Sequence, residues 1–234
     1  YPKSTVFGLL TTMRAYDVVT QTPDGRYTLG LRLFEYGRQV ERSWDISTVA
    51  RPYMEHLCRQ TGASVMLSVC EGGSVITLDQ VETRGSLRVV SDTGSRLPIY
   101  CTSQGKVFLA HMSRTGAEAL LRGQSRSQFT PHTITDIPAL LREVEACRAN
   151  GYAIENGEYK IGLRSISAPV YTVEGTVQYT VGVIGMFRSV HSEEFRGAVE
   201  QVCATAAMIS AALGYRRREE HNGAPAKTAP GASV

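Results

Sequence analysis

Three glycine turns constrain what this chain can fold into. The pairs Asp24-Gly25, Gly72-Gly73 and Glu174-Gly175 each stand between two short runs in which apolar and polar residues alternate. A period of two is typical of strands, and glycine supplies the positive φ that a tight hairpin turn needs. Each pair of runs is therefore expected to form an antiparallel hairpin. Helical runs lie between the hairpins, so the predicted class is α/β in the broad sense (α+β), with a mainly antiparallel sheet flanked by helices.

The start of the chain predicts a short helix followed by a β-wing. Apolar residues follow helical spacing from Val6 to Met13, within a helix expected over about residues 3–16. At the turn of the wing, we expect positive φ at both Asp24 and Gly25. A linker helix is predicted over residues 31–43, and a further helix carries apolar residues from Ile46 to Cys58 and ends at Gly62.

The rest of the chain predicts a sheet with helices. Strands are expected over residues 63–69, 74–82, 86–91, 151–154, 163–170 and 176–187, and helices over residues 103–112, 113–121, 138–150 and 193–213. Asp136 and Ser192 are expected to begin helices, and Gly151 to end one. Residues 215–234 are rich in Ala, Pro and Gly and are predicted to be disordered.

Composition excludes several classes of protein. The 5 cysteines lie far apart with no C-x-x-C spacing, which predicts reduced thiols and no metal site. No apolar run approaches the roughly 18 residues that a membrane helix needs, and no signal region is visible, so we expect a cytoplasmic protein without a membrane partner. The net charge is only +3, with its positive excess towards both ends of the chain, where an electrostatic partner would bind.

The usual motifs of enzymes are absent from the sequence. It contains no H-E-x-x-H, G-x-S-x-G, G-x-x-x-x-G-K-[ST] or G-x-G-x-x-G pattern. Glu155 and Glu158 could act as an acid and a base in a hydrolase or a transferase, but exposed loop carboxylates are the favoured interpretation. We therefore expect no enzymatic activity, no catalytic residue and no cofactor.

One segment predicts a binding site for an anion. From Cys101 to Lys106 a strand runs into the start of a helix, where free N–H groups and the helix dipole favour a small carboxylate. Ser103 would add a hydroxyl donor. Alternatively, Ser103 only caps the helix.

Several spaced segments form a pattern typical of one protein family. They are YPKSTVFGLL at the start, DGRYTLG at residues 24–30, RLP at residues 96–98, GYAIENGE at residues 151–158, GLRS at residues 162–165 and APV at residues 168–170. Together they resemble the IclR family of bacterial transcriptional regulators, over about residues 1–214.

The resemblance implies two functional domains. Residues 1–30 would form the recognition helix and wing of a winged helix-turn-helix domain, residues 31–43 a linker helix, residues 44–214 an effector domain similar to the GAF fold, and residues 215–234 a tail. Such a protein works as a homodimer or a dimer of dimers and binds a DNA operator and a small organic acid. The helices that precede the recognition helix in this family are not found, so we expect the natural protein to be longer at its N-terminus.

The resemblance also implies residues that contact DNA. Arg26 would lie on the wing, and Phe7-Gly8 stands where the family commonly has a His-Arg pair. Capping of the helix is an alternative or additional role for Ser4 and Thr5. The full set carried over is Lys3, Ser4, Thr5, Phe7, Gly8, Thr11, Thr12, Arg14 and Arg26.

An effector pocket follows from the same resemblance. Its residues would be Val89, Leu97, Ser103, Gln104, Gly105, Glu155, Leu163, Ser165, Gly182 and Ile184. Members that bind very small acids have serines where this chain has Gly182 and Ile184, so we expect a more apolar pocket and a larger acid with an aromatic or aliphatic body. The alternative is a stand-alone GAF-like sensor without DNA binding. Repression and activation are both left open.

Overall fold

The structure is a computed structural model that describes residues 1–36, 46–83 and 93–216. It divides into two compact units, Tyr1–Pro52 and Tyr53–Val234. Four predictions fall outside the described residues: the second half of the linker, Val89, the strand at residues 86–91 and the tail from residue 217 onward. In the described ranges, no helix has both the length and the hydropathy to cross a membrane.

The first unit contains the predicted helix and wing. Helix α1 spans Lys3–Ala15, and strands β1 (Val19–Gln21) and β2 (Tyr27–Leu29) pair antiparallel. Residues 31–36 are helical. No residue of α1 is buried, and Val6, Leu9 and Met13 of its apolar stripe are exposed.

The turn of the wing differs from the prediction. Only Gly25 has a positive φ, at 84°, so the expectation for Asp24 was wrong. The Gly25 N–H donates to the Thr22 carbonyl at 2.9 Å, and the Thr22 N–H donates to the Arg26 carbonyl at 2.8 Å. The loop is therefore longer than two residues, with Pro23 at the second position of a turn where its fixed φ is favoured.

The second unit is built on one antiparallel sheet. Helix α2 (Ile46–Thr61) begins in the first unit and ends in the second. The strands are β3 (Ser64–Glu71), β4 (Ser74–Val81), β5 (Arg96–Pro98), β6 (Ala153–Asn156), β7 (Arg164–Tyr171) and β8 (Val177–Gly185), in the order β5-β4-β3-β8-β7-β6. Gly72 and Gly73 both have positive φ, at 58° and 76°, and join β3 to β4 as predicted.

The described residues of the second unit form four further helices, whose ends follow local sequence signals. They are α3 (Ser103–Ala110), α4 (Arg114–Arg122), α5 (Ile137–Asn150) and α6 (Glu193–Ala212). The predicted caps are confirmed: Asp136 accepts from the Ala139 N–H, Ser192 accepts from the Phe195 N–H, and Gly151 ends α5 with φ at 79°. These bonds satisfy N–H groups that a helix end leaves unpaired.

The two faces of the sheet differ in chemistry. Helix α3 contacts β6, β7 and β8, whereas α6 contacts β7 and β8 from the other side. Alternate residues on the α6 side are aliphatic and buried: Val65, Leu67, Ile166, Ala168, Val181 and Val183. The positions between them, on the α3 side, are Ser64, Met66, Ser68, Ser165, Ser167, Thr180 and Gly182. Side chains alternate between the faces of a strand, so one face of this sheet is rich in hydroxyl groups although it is buried.

Candidate functional site

The start of helix α3 is held by Thr102. Its backbone is extended, with φ of −128°, and its hydroxyl accepts the Gly105 N–H at 3.2 Å. Ser103 is therefore the first residue of the helix and not its cap, which corrects the capping alternative for Ser103. Its side chain is free to turn towards the sheet.

A cluster of serine hydroxyls joins α3 to the sheet. The Ser103 Oγ lies 2.8 Å from the Ser165 Oγ and 2.8 Å from the Ser167 Oγ, and the Ser165 hydroxyl donates to Glu155 Oε2 at 3.1 Å. A carboxylate only accepts, so Ser103 donates to Ser165 and Ser167 donates to Ser103. All four side chains are buried. Ser167 was missed in the sequence, although its alternation with Ile166 and Ser165 is a visible signal.

Glu155 is a buried anchor for the turn after β6. Its Oε1 accepts the Glu158 N–H at 2.5 Å and the Tyr159 N–H at 3.1 Å. The residue is only 3% exposed, so the interpretation of Glu155 as an exposed loop carboxylate was wrong. Burial raises the pKa of its carboxyl, against the opposing effect of the two backbone donors. With both oxygens engaged, Glu155 is poorly placed to act as a catalytic base.

Lys106 and Glu158 form a buried ion pair beside this turn. The Lys106 Nζ lies 2.5 Å from Glu158 Oε1 and 3.1 Å from Glu143 Oε2, and it donates to the Ile154 carbonyl at 3.1 Å. Lys106 is 1% exposed and Glu158 is 5% exposed, which also corrects the interpretation of Glu158 as an exposed loop residue. Burial raises the pKa of Glu158, while the Lys106 ammonium lowers it. Lys106 thereby fastens α3 to α5 through Glu143 and to β6 through the Ile154 carbonyl.

Two of the predicted pocket residues are glycines at close approaches. A Cβ at Gly105 would overlap the carbonyl group of Ile99, and the Gly105 N–H is already engaged by Thr102. Gly105 therefore positions the helix and its N–H is not available to a ligand, while its predicted contact with the effector stays a prediction. A Cβ at Gly182 would overlap the Ser167 hydroxyl, so the absence of a side chain at Gly182 gives Ser167 the space to reach Ser103.

Four other predicted pocket residues lie in the second unit. Ile184 pairs in register with Ser165 on one side and Ser64 on the other. Gln104 is buried, and within the part of the chain that the structure describes its Nε2 donates to the Met66 sulfur alone, at 3.5 Å. Leu97 lies on the edge strand β5, opposite Val75, and Leu163 comes just before β7; both are half-buried.

The residues predicted to contact DNA divide into two groups. Lys3, Ser4, Thr5, Phe7 and Gly8 are exposed, and α1 begins after Pro2 with no side-chain cap, so capping by Ser4 or Thr5 is not observed. The others make bonds within the first unit. Thr11 and Thr12 donate to carbonyls one turn earlier, Arg14 donates to Gln21 Oε1 at 3.0 Å, and Arg26 pairs with Asp24 at 3.3 Å.

Comparison with known proteins gives consistent matches. Residues 38–211 match the family described as "Bacterial transcriptional regulator IclR C-terminal". The HTH-type transcriptional repressor AllR of Escherichia coli (strain K12) is 31% identical over 216 residues, which cover 92% of this chain and 80% of AllR.

Solved structures agree with these sequence matches. The Thermotoga maritima IclR structure has a TM-score of 0.69 at 29% identity and covers 91% of this chain and 86% of its own. An IclR homolog from Microbacterium hydrocarbonoxydans, complexed with 4-hydroxybenzoate, has a TM-score of 0.66 at 25% identity, with coverage of 91% and 86%. The predicted α+β class with a GAF-like effector domain is confirmed by this likeness. The chain belongs to the IclR family of bacterial transcriptional regulators, and it is a regulator rather than an enzyme.

Proposed function

We propose that the protein is a DNA-binding transcriptional repressor that releases its operator when it binds a small organic carboxylic acid with an aromatic or aliphatic body. A relative at 31% identity is named a repressor, and a solved relative holds an aromatic hydroxy acid, 4-hydroxybenzoate. The observation that carries the proposal is the buried cluster of Ser103, Ser165 and Ser167 at the first turn of α3.

The first turn of α3 suits a carboxylate. The positive end of the helix dipole lies there, and the first N–H groups of a helix have no partner within the helix. The Ser103 hydroxyl stands beside these groups, and its proton, which Ser165 accepts in the structure, would turn to a ligand oxygen. Lys106, the nearest buried cation on the helix, is already paired with Glu158, so recognition rests on hydroxyl and amide donors.

DNA recognition rests on the exposed residues of the first unit. Lys3, Ser4 and Thr5, with Phe7 and Gly8, would meet phosphates and base edges in the major groove, and Arg26 would meet the neighbouring backbone. A homodimer or a dimer of dimers would read two half-sites. Such a regulator acts in the cytoplasm, where the chromosome lies, and requires no membrane partner.

A gel-shift titration tests the proposal. The probe is the DNA upstream of the protein's own gene, and the acids are benzoate and 4-hydroxybenzoate. We expect binding that falls steeply with added salt, because phosphate neutralisation releases counterions, and release of the DNA by acid. Ser103→Ala should keep DNA binding but lose the response to acid.

The control for this experiment is Ser113→Ala. Ser113 caps α4 through the Gly116 N–H and makes no contact with the serine cluster, so its loss lowers stability without removing a ligand contact. An unchanged acid response in Ser103→Ala would contradict the proposed site. Acid binding without any salt-dependent DNA binding would favour the stand-alone sensor.

A further inference from the structure

Within the residues that the structure describes, three buried hydroxyls on the α3 side of the sheet have no hydrogen-bond partner. They belong to Ser64, Ser68 and Thr180, whose side chains are 1%, 0% and 0% exposed. Among the described residues nothing bonds to their oxygen atoms. Buried hydroxyls without a partner are uncommon and costly, because the water that solvated them in the unfolded chain is not replaced.

The strand register places these hydroxyls on the face that holds the serine cluster. Ser68 pairs directly with Thr180 across β3 and β8, and Ser64 pairs with Ile184, the neighbour of Ser165. The rung between them is the pair of Met66 and Gly182. The three hydroxyls therefore flank Met66 and Gly182, and we call this group the hydroxyl subsite.

Gln104 connects the hydroxyl subsite to the serine cluster. Its Oε1 lies 3.4 Å from the Ser103 Oγ, while its Nε2 reaches the Met66 sulfur. Thioether sulfur is a weak acceptor, so this buried amide keeps a donor that a better acceptor could take. The same face thus offers one donor from Gln104 and three hydroxyls that can each donate or accept.

We infer that the hydroxyl subsite binds the polar body of the effector, and that the effector is a carboxylic acid that carries hydroxyl groups. The inference deepens the proposed function and rests on it, because it assumes that the carboxylate lies at the first turn of α3. Hydroxyls match neutral groups that both donate and accept, whereas a purely apolar body would leave all three unpaired.

Matched pairs of acids test the inference. Gluconate and hexanoate are both six-carbon acids, and 4-hydroxybenzoate and benzoate share one ring; each pair differs in hydroxyl groups alone. Titration calorimetry of the full chain should show tighter binding of the hydroxylated member, by about tenfold in at least one pair. Ser68→Ala and Thr180→Val should reduce that preference and leave binding of the plain acid unchanged.

The stability of the unliganded protein gives an independent readout. Ser68→Ala and Thr180→Val remove hydroxyls that have no partner, so the melting temperature should hold or rise. Ser210→Ala is the matched control. Ser210 is equally buried, accepts the Tyr171 N–H at 3.0 Å and donates to the Ala206 carbonyl at 2.6 Å, so its loss should lower the melting temperature.

The outcomes separate the inference from the proposed function. Plain acids that bind as tightly as their hydroxylated partners would overturn the hydroxyl subsite and leave acid sensing intact. Ser68→Ala and Thr180→Val melting as low as Ser210→Ala would also overturn it, since the hydroxyls would then have structural partners such as ordered water. Binding of neither kind of acid would overturn the inference and the proposed function together.

Discussion

At the scale of single residues, the buried charge of Lys106 is the feature that most needs compensation by neighbouring groups. An ammonium group inside a protein is tolerated only when nearby groups replace its water. Glu158, Glu143 and the Ile154 carbonyl supply three partners within 3.1 Å. The Glu158 Oε2 is buried with no partner among the described residues, so this carboxylate depends on Lys106 for the neutralisation of its charge.

Lys106→Met should destabilise the protein by about 3–5 kcal/mol, because it leaves a carboxylate buried without its counter-charge. Urea unfolding at neutral pH measures the change. Adding Glu158→Gln to this variant should recover part of the loss. The comparison is Arg122→Met, which breaks an exposed ion pair with Glu118 and should cost no more than about 1 kcal/mol. Equal losses in the two single variants would contradict a buried pair.

The burial of Glu155 predicts that the stability of the folded protein depends on pH. Burial raises its pKa in the folded protein, which means that the folded state binds this proton more tightly than the unfolded chain does. The stability from this protonation is fully present below the ordinary pKa of Glu and is lost as the pH rises through the raised value. The free energy of unfolding of Glu155→Gln minus that of the wild type should therefore increase over that pH range and then level off.

Unfolding at pH values from about 4 to about 8 measures this difference. Glu174 provides the control with the opposite sign. It is exposed, and the Thr172 hydroxyl lowers its pKa by a hydrogen bond, so its stabilising effect is present above the ordinary pKa of Glu and lost as the pH falls. A pH-independent difference for Glu155→Gln would show that the carboxyl is not desolvated in solution.

At the scale of elements, the position of α3 decides the site. The helix cannot accept a side chain at Gly105, because its backbone lies against the Ile99 carbonyl there. It is also fixed by the Thr102 cap and by the ion pair of Lys106. These three constraints set where Ser103 points, so the serine cluster depends on packing around α3 as much as on the serines.

Gly105→Ala should destabilise the protein by about 1–3 kcal/mol or more, because the added methyl group overlaps the Ile99 carbonyl and forces α3 away from it. Thermal unfolding is the measurement, and the acid response should weaken in parallel. Gly197→Ala is the matched control within helix α6, where an added Cβ meets nothing within 4 Å. That variant should gain about 0.5–1 kcal/mol from helix propensity. A neutral Gly105→Ala would show that α3 can shift freely.

At the scale of the whole molecule, the proposed function links two ligands. If an acid changes the affinity for DNA by some factor, DNA must change the affinity for the acid by the same factor. Under the proposed function the first unit would bind the DNA, and its residues Lys3 to Gly8 are exposed. The contribution of these residues to DNA binding can be distinguished from the effect of the acid site, because phosphate contacts make the affinity for DNA depend on salt.

Lys3→Ala should weaken DNA binding on every sequence and reduce the slope of log affinity against log salt by about one, as expected for the loss of one phosphate contact. Filter binding at several salt concentrations provides the slope. Lys160→Ala, an exposed lysine of the second unit, serves as the control and should leave the slope unchanged. An unaltered slope in Lys3→Ala would remove Lys3 from the DNA contacts.

Local signals predicted most of the elements, and they failed where distant segments meet. The caps at Asp136 and Ser192 and the turn at Gly72-Gly73 depend on neighbours within a few residues, so they could be read directly. The burial of Glu155 could not, because it depends on the pairing of β6 with β7, which brings the Ser165 hydroxyl to its carboxylate. The sequence predicted a pocket that is more apolar than this hydroxyl-rich face of the sheet. Ser64 and Ser68 were not among the predicted pocket residues, because they belong to β3, which is distant in sequence from the β8 residues that it pairs with.

The sequence by itself determined the family, the antiparallel hairpins, the helix ends and the serine at the start of α3, because short-range patterns specify local backbone geometry. Only the tertiary structure decided which hydroxyls share one buried face and which charges neutralise each other. Those contacts join residues such as Ser103 and Ser165, which are 62 positions apart, so they depend on sheet register and helix packing that no local pattern encodes.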